Sequence, residues 1–168
     1  MKNQPKSQKN STEDSQRKRA LELALWYLSK SARTAHEIEV RLARKEYGAE
    51  DIAYVVKRLK ELNFLNDAEY AKNYTRNAKL GKPKGKHRIR MELIKKGVDK
   101  ELIDDALEEG FAEGEQEELI DSAAKIYLKK IHNLPREKVY NRLMGYLLRR
   151  GFDYGKVSTK VKELLKDL

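Results

Sequence analysis

Residues 85–98 read GKHRIRMELIKKGV, and their spacing decides the fold. Ile89 and Leu93 lie one helical turn apart, Gly97 follows four residues after the leucine, and an apolar residue, Val98, comes next. Apolar residues at i and i+4 mark one face of a helix, and a glycine just past the last periodic residue marks its end. The pattern returns as Leu143, Leu147, Gly151 and Phe152. A third instance opens with Ile38 and Leu42, with the matching break placed at Gly48, two residues later. The pairs begin at 38, 89 and 143, and a period near 50 residues fits a helical repeat array.

Working outward, each middle helix gains two companions. Upstream, Ala20, Leu21, Ala24, Leu25 and Leu28 form a stripe, with Trp26 packed at its edge. Thr34 followed by Glu37 has the form of a capping box for the helix of Ile38 and Leu42. Ile52, Val55, Val56, Leu59 and Leu62 complete the first group. Asn66 caps the helix of Tyr70, Ala71, Tyr74 and Ala78, and Asp99 caps that of Leu102, Ile103, Ala106 and Leu107. The third group runs through Leu119, Ile120, Ala123, Tyr127 and Ile131, then from Pro135 in a first helical turn, then Val157, Val161, Leu164 and Leu165. No segment alternates as a strand. The expected fold is all-α: three tandem three-helix repeats forming an elongated curved array, in which small units bury their faces against neighbours. The repeats are placed at 20–65, 66–110 and 111–168. Residues 1–19 carry six basic and two acidic residues and no Leu, Ile, Val or aromatic side chain, so they are assigned to a disordered basic tail.

The 168 residues include 37 Lys and Arg against 27 Asp and Glu, a net charge of +10 that favours polyanions, either nucleic acid or an acidic protein surface. With no cysteine there is no disulfide, thiolate metal site or cysteine nucleophile. The absence of a long apolar run or an apolar leader points to a cytoplasmic protein without a membrane contact. His36, His87 and His132 stand alone, without metal-ligand spacing, and Asp104-Asp105 and Glu108-Glu109 read as solvated faces. No catalytic residue, metal or cofactor is assigned, and no nucleotide-binding Gly-Lys-Ser/Thr loop is present.

The charge concentrates in KLGKPKGKHRIR, where Lys79, Lys82, Lys84, Lys86, Arg88 and Arg90 occur without an acid. Gly81, Pro83 and Gly85 suggest a mobile loop feeding a helix N-terminus. Cations there oppose the helix dipole, so helix stability does not explain them, and a polyanion contact does. Lys95-Lys96 and Arg149-Arg150 close two middle helices, where the dipole favours cations, and Arg33 precedes the capping Thr34. These eleven residues are the candidate partner- or DNA-binding set. Tyr27, Tyr70, Tyr74 and Tyr127 fall on core stripes, whereas Tyr140, Tyr146 and Tyr154 are uncommitted.

Three segments resemble the RecX family. TAHEIEVRL (Thr34–Leu42), preceded by Arg33, is similar to the Arg-Thr-x-x-Glu-Leu opening of its first repeat. LNDAEYAKNYTRNA (Leu65–Ala78) resembles its Leu-Asp-Asp-x-x-Tyr-Ala signature, with Asn66 where Asp is common and Glu69 where a basic residue is frequent. GKHRIRMELIKKGV (Gly85–Val98) resembles Gly-x-x-Arg-Ile-x-x-Glu-Leu-x-x-x-Gly-Ile almost position by position. With no strong coiled-coil seam in the sequence, a monomer is the expected state. The resemblance implies a non-enzymatic regulator that binds RecA protein and its filament on single-stranded DNA. It also implies restraint of ATP hydrolysis and strand exchange in DNA repair and recombination, with direct DNA contact as a further option. The competing reading is a direct DNA-binding protein that uses its three-helix units as helix-turn-helix modules. That reading predicts cations along a recognition-helix face, but here they gather in a loop and at helix ends.

Overall fold

The computed structural model describes residues 6–131 and 134–166, with side chains from residue 13 onward. His132 lies outside the described residues. Nine α-helices and no strand are found among the described residues. They are α1 (Lys6–Lys30), α2 (Ala35–Ala43), α3 (Ala49–Glu61), α4 (Asp67–Ala78), α5 (Lys86–Lys95), α6 (Lys100–Glu109), α7 (Glu115–Leu128), α8 (Arg136–Arg149) and α9 (Tyr154–Leu164). Grouped by three, they form the tandem three-helix repeats that the pair-and-glycine pattern predicts.

Two compact units divide the chain. The first takes residues up to Tyr70 together with Lys96–Val98, and the second takes Ala71–Lys95 with Asp99 onward. In the first, Ala20, Ala24, Ile38, Leu42, Val55, Leu59 and Leu65 form the core. In the second, Ile89, Leu93, Ile103 and Leu107 are buried, and Ile120, Leu143, Leu147, Phe152, Val157 and Val161 form the core of the third repeat. Each fully buried aliphatic side chain contributes roughly 1.5–3 kcal/mol. The stripe pairs Ile38/Leu42, Ile89/Leu93 and Leu143/Leu147 are all at 0% exposure, so the pattern that locates the middle helices also locates their cores.

Several sequence expectations need correction. Of the segment expected to be a disordered tail, residues 6–19 form the start of α1, and residues 1–5 lie outside the described residues. No glycine or proline interrupts residues 6–30, and Arg17 reaches Asp51 at 3.1 Å while its guanidinium lies 5.0 Å from the Tyr54 ring centre. Trp26, expected to be packed, is 55% exposed, edge-on to Tyr27 and under the Lys30 ammonium. Asp99 occupies the N-cap position of α6, but its side chain makes no capping bond. Pro135 is the N-cap of α8 and stands one residue before its first turn.

The break after α2 also shifts. The left-handed residue is Glu46 (φ 64°), not Gly48. Counted from the stripe leucines, Glu46 holds the position of Gly97 (φ 74°) and Gly151 (φ 82°). The Tyr47 amide bonds the Leu42 carbonyl just as the Phe152 amide bonds that of Leu147. The spacing is therefore the same in all three repeats, and only the residue type differs.

Candidate partner interface

Two joints organise the candidate surface, one in each unit. In the first unit Thr34, fully buried, is the N-cap of α2 and completes the predicted capping box: its Oγ1 accepts from the Glu37 amide at 3.1 Å, and Glu37 Oε2 accepts from the Thr34 amide at 3.1 Å. The same hydroxyl donates to the Lys96 carbonyl at 2.5 Å. Lys96 Nζ donates to Glu37 Oε1 at 2.9 Å and sits 5.5 Å from the Tyr70 ring centre. Partial burial works against the Glu37 carboxylate, but the bonds from Lys96 and the Thr34 amide, with the charges of Lys96 and Arg33, hold its pKa below the ordinary value. The Asn66 side chain caps α4 by accepting from the Glu69 amide at 3.0 Å.

The second joint repeats the scheme with backbone donors. The Gly85 amide, at the start of α5, donates to the Arg150 carbonyl at 2.8 Å, and the His87 amide donates to that of Gly151 at 3.2 Å. Arg88 Nη1 reaches the Arg149 carbonyl at 3.2 Å. In return, Arg150 donates to the carbonyls of Pro83 (2.8 Å) and Lys82. Both joints require glycine in the receiving turn. A β-carbon at Gly97 would stand 2.4 Å from the His36 β-carbon, and one at Gly151 2.3 Å from the Arg88 nitrogen. The helix N-terminus thus spends its unpaired N–H groups on a neighbouring helix's unpaired carbonyls.

Beside this joint, Glu92 gathers three donors: Tyr74 Oη at 2.6 Å, Lys84 Nζ at 2.6 Å and Arg88 Nε at 3.0 Å. Burial opposes the charge, yet these bonds bring the carboxyl down to about 2. The first part of the Lys79–Arg90 segment, the loop through Gly81, Pro83 and Gly85 expected to be mobile, is held at both ends. Lys79 binds the Gly110 carbonyl (2.5 Å) and Glu115 (2.7 Å), and Pro83 and Gly85 are buried.

The eleven candidate cations therefore divide. Lys79, Lys84, Arg88, Lys96 and Arg150 are committed to these bonds. Arg90 pairs with Asp104, and Lys86 lies over the Phe111 ring, 5.1 Å from its centre. Arg33 is half-buried, and its Nε is shielded without a hydrogen-bond partner. Lys82, Lys95 and Arg149 have exposed side chains. The cations that oppose the α5 dipole are thus largely accounted for by internal acids and carbonyls. Sequence reasoning missed these pairings: it read Glu37 only as a cap and Asp104 as part of a solvated face, and it did not single out Glu92 or Glu115. Only Arg88–Glu92, four residues apart on one helix, carried a local signal. Sequence reasoning also missed the exposed aliphatics Met91, Ile94 and Leu148.

The tyrosines mostly pack at core edges. Tyr127 and Tyr146 stack at 4.2 Å and 6°. A cleft of about 590 Å³ between α8 and α9 is lined by Tyr140, Leu165, Arg136, Glu137, Lys162 and Lys166. Among the described residues no group of three acids or histidines is placed to hold a metal ion, and no helix is long and apolar enough to cross a membrane.

Comparison with known proteins is consistent along the chain. Family models for RecX match three times in order: the first three-helix domain over residues 20–59, the second over 66–107 and the third over 115–159. The chain is 31% identical over 149 residues to the regulatory protein RecX of Clostridium acetobutylicum, covering 86% of this chain and 68% of that protein. It is 34% identical over 157 residues to the regulatory protein RecX of Prosthecochloris aestuarii, covering 90% and 97%. The crystal structure of RecX from Lactobacillus salivarius superposes with a TM-score of 0.79 at 28% identity, covering 90% of this chain and 97% of that one.

Proposed function

The chain belongs to the RecX family of regulatory proteins, and from that premise we propose that it binds RecA protein and its filament on single-stranded DNA and restrains the filament's ATP hydrolysis and strand exchange. The observation that carries this reading is the ordered match of all three three-helix domains. The repeat bounds 20–65, 66–110 and 111–168 are retained as part of it, since the three matches fall inside them.

Chemistry agrees with a binding role. A net charge of +10 draws the protein to a nucleoprotein polymer by long-range attraction. The cations fixed at the joints set the shape of the repeats, and those left outward, Lys82, Lys95 and Arg149, are free to meet carboxylates or phosphates. The reading includes no bond-making step, no cofactor and no metal, and it places the protein in the cytoplasm as a monomer.

The test is a titration of RecA ATPase on single-stranded DNA, with binding measured in parallel on the filament and on bare DNA at about 0.15 M salt. The expected result is falling ATPase activity and tighter binding to the filament. Equal affinity for both, with ATPase unchanged, would favour direct DNA binding through the three-helix units.

A further inference from the structure

The outward positions of the middle helices recur from repeat to repeat. On α5 they are His87, Met91, Ile94 and Lys95; on α8, Asn141, Gly145, Leu148 and Arg149; on α2, His36, Val40, Ala43 and the adjoining Arg44. Steps of four, three and one place each set on one helix face. Every set ends in an exposed cation, Arg44, Lys95 or Arg149, and among the described residues none of these three side chains forms an ion pair or hydrogen bond. In the second and third repeats the residue before the cation is a large exposed aliphatic: Ile94 is 50% exposed and Leu148 37%, with Met91 at 43% beside Ile94.

A cation at a helix C-terminus is explained by the dipole. The aliphatic side chain beside it is not, since exposing it gains nothing for the fold and costs solubility. The core residues of these helices, Ile89, Leu93, Leu143 and Leu147, face the other way. The second joint sets the last turn of α8, which carries Leu148 and Arg149, against the first turn of α5, where the α5 face begins at His87: the Gly85 and His87 amides donate to the Arg150 and Gly151 carbonyls and the Arg88 side chain to that of Arg149.

We propose that this face is a docking surface for an acidic protein partner, in which Ile94, Met91 and Leu148 fill apolar depressions and Lys95 and Arg149 meet carboxylates beside them. Nucleic acid fits it less well. A phosphate backbone rewards dense positive charge and bases reward aromatic platforms, whereas this face sets its cations, Lys95 on α5 and Arg149 with Arg142 and Lys138 on α8, beside the exposed aliphatics Met91, Ile94 and Leu148 and carries no Phe, Tyr or Trp. A partner that presents the same acidic and apolar patch at regular intervals engages more than one helix at once, and linked contacts multiply affinity. The proposal rests on the filament reading above and assigns this face to the RecA protomers and not to their DNA.

The experiment uses the full chain and two variants, Ile94→Ser/Leu148→Ser and Lys95→Gln/Arg149→Gln, each checked for unchanged helicity. Binding is titrated on RecA–single-stranded-DNA filaments and on bare single-stranded DNA. The serine variant is expected to lose about tenfold or more in filament affinity with bare-DNA affinity unchanged. The glutamine variant is expected to lose filament affinity and to show a weaker salt dependence. Filament affinity unchanged in both variants overturns the proposal, as does an equal loss on filament and on bare DNA. Should the unsubstituted protein fail to bind filaments at all, the functional reading itself falls, a result distinct from either.

Discussion

A β-carbon placed on Gly151 would lie 2.3 Å from the backbone nitrogen of Arg88, 63 residues away in sequence, so the turn closing α8 and the first turn of α5 meet at backbone distance. Gly151 also sits at φ 82°, which L side chains rarely adopt. Gly151→Ala therefore meets two penalties, backbone strain of roughly 1–3 kcal/mol and separation of the joint. Its denaturation midpoint should fall, and protection of the Gly85 and His87 amides in hydrogen exchange should fall with it. Unchanged protection would show that the joint is not formed in solution.

Glu46 supplies the converse case. It adopts the same left-handed conformation with a side chain attached, at a cost of about 1–2 kcal/mol. Glu46→Gly relieves that strain at the expense of a more flexible unfolded chain, and a net gain of about 0.5 kcal/mol is expected. Gly97→Glu should destabilise strongly, because the His36 side chain occupies the space. Thermal melts of the two exchanges should move in opposite directions.

Thr34→Ala removes a cap worth about 0.5–2 kcal/mol and strips the Lys96 carbonyl of its donor. Thr34→Ser keeps both bonds. Chemical denaturation should separate them by about 2 kcal/mol, with the serine variant near the parent.

Glu92 makes stability depend on pH. Its pKa lies lower in the folded chain, about 2, than the 4.5 of the free group, so the folded state binds its proton more weakly. The contribution is complete above pH 4.5 and is lost as pH falls through 2. Some of it is screened by solvent, leaving about 1–2 kcal/mol. Glu92→Gln should lower the denaturation midpoint at pH 7 and flatten the parental decline between those limits. A parallel decline in both proteins would remove Glu92 as its source.

The basic segment should respond residue by residue. Lys82→Ala leaves stability within about 0.5 kcal/mol, because the side chain is exposed. Lys84→Ala costs more, since Glu92 loses a 2.6 Å donor. Equal stability losses from the two substitutions would contradict the assignment of Lys84 to the joint.

The helices and their threefold recurrence were legible because the pair-and-glycine spacing is local and each element carries its own signal. Thr34 with Glu37, and Asn66 with the Glu69 amide, form the capping bonds their spacing announces. What the chain concealed is contact between distant residues. Glu37 meets Lys96 across 59 positions and Lys79 meets Glu115 across 36, and no periodicity reports such pairs. The basic stretch read as one binding loop for that reason, although most of its cations are engaged internally. Asp99 failed as a cap because residue type permits a bond without fixing the rotamer that makes it. The start of α1 was missed because its first residues carry no apolar stripe.

The glutamate at position 46 has one more effect. A helix arriving at that turn as α2 arrives at Gly97 would find a β-carbon where its own first turn must lie. Within each unit the receiving turn is built on a glycine, Gly97 in the first and Gly151 in the second, whereas the turn after α2 carries a side chain at the matching place and leaves no such seat.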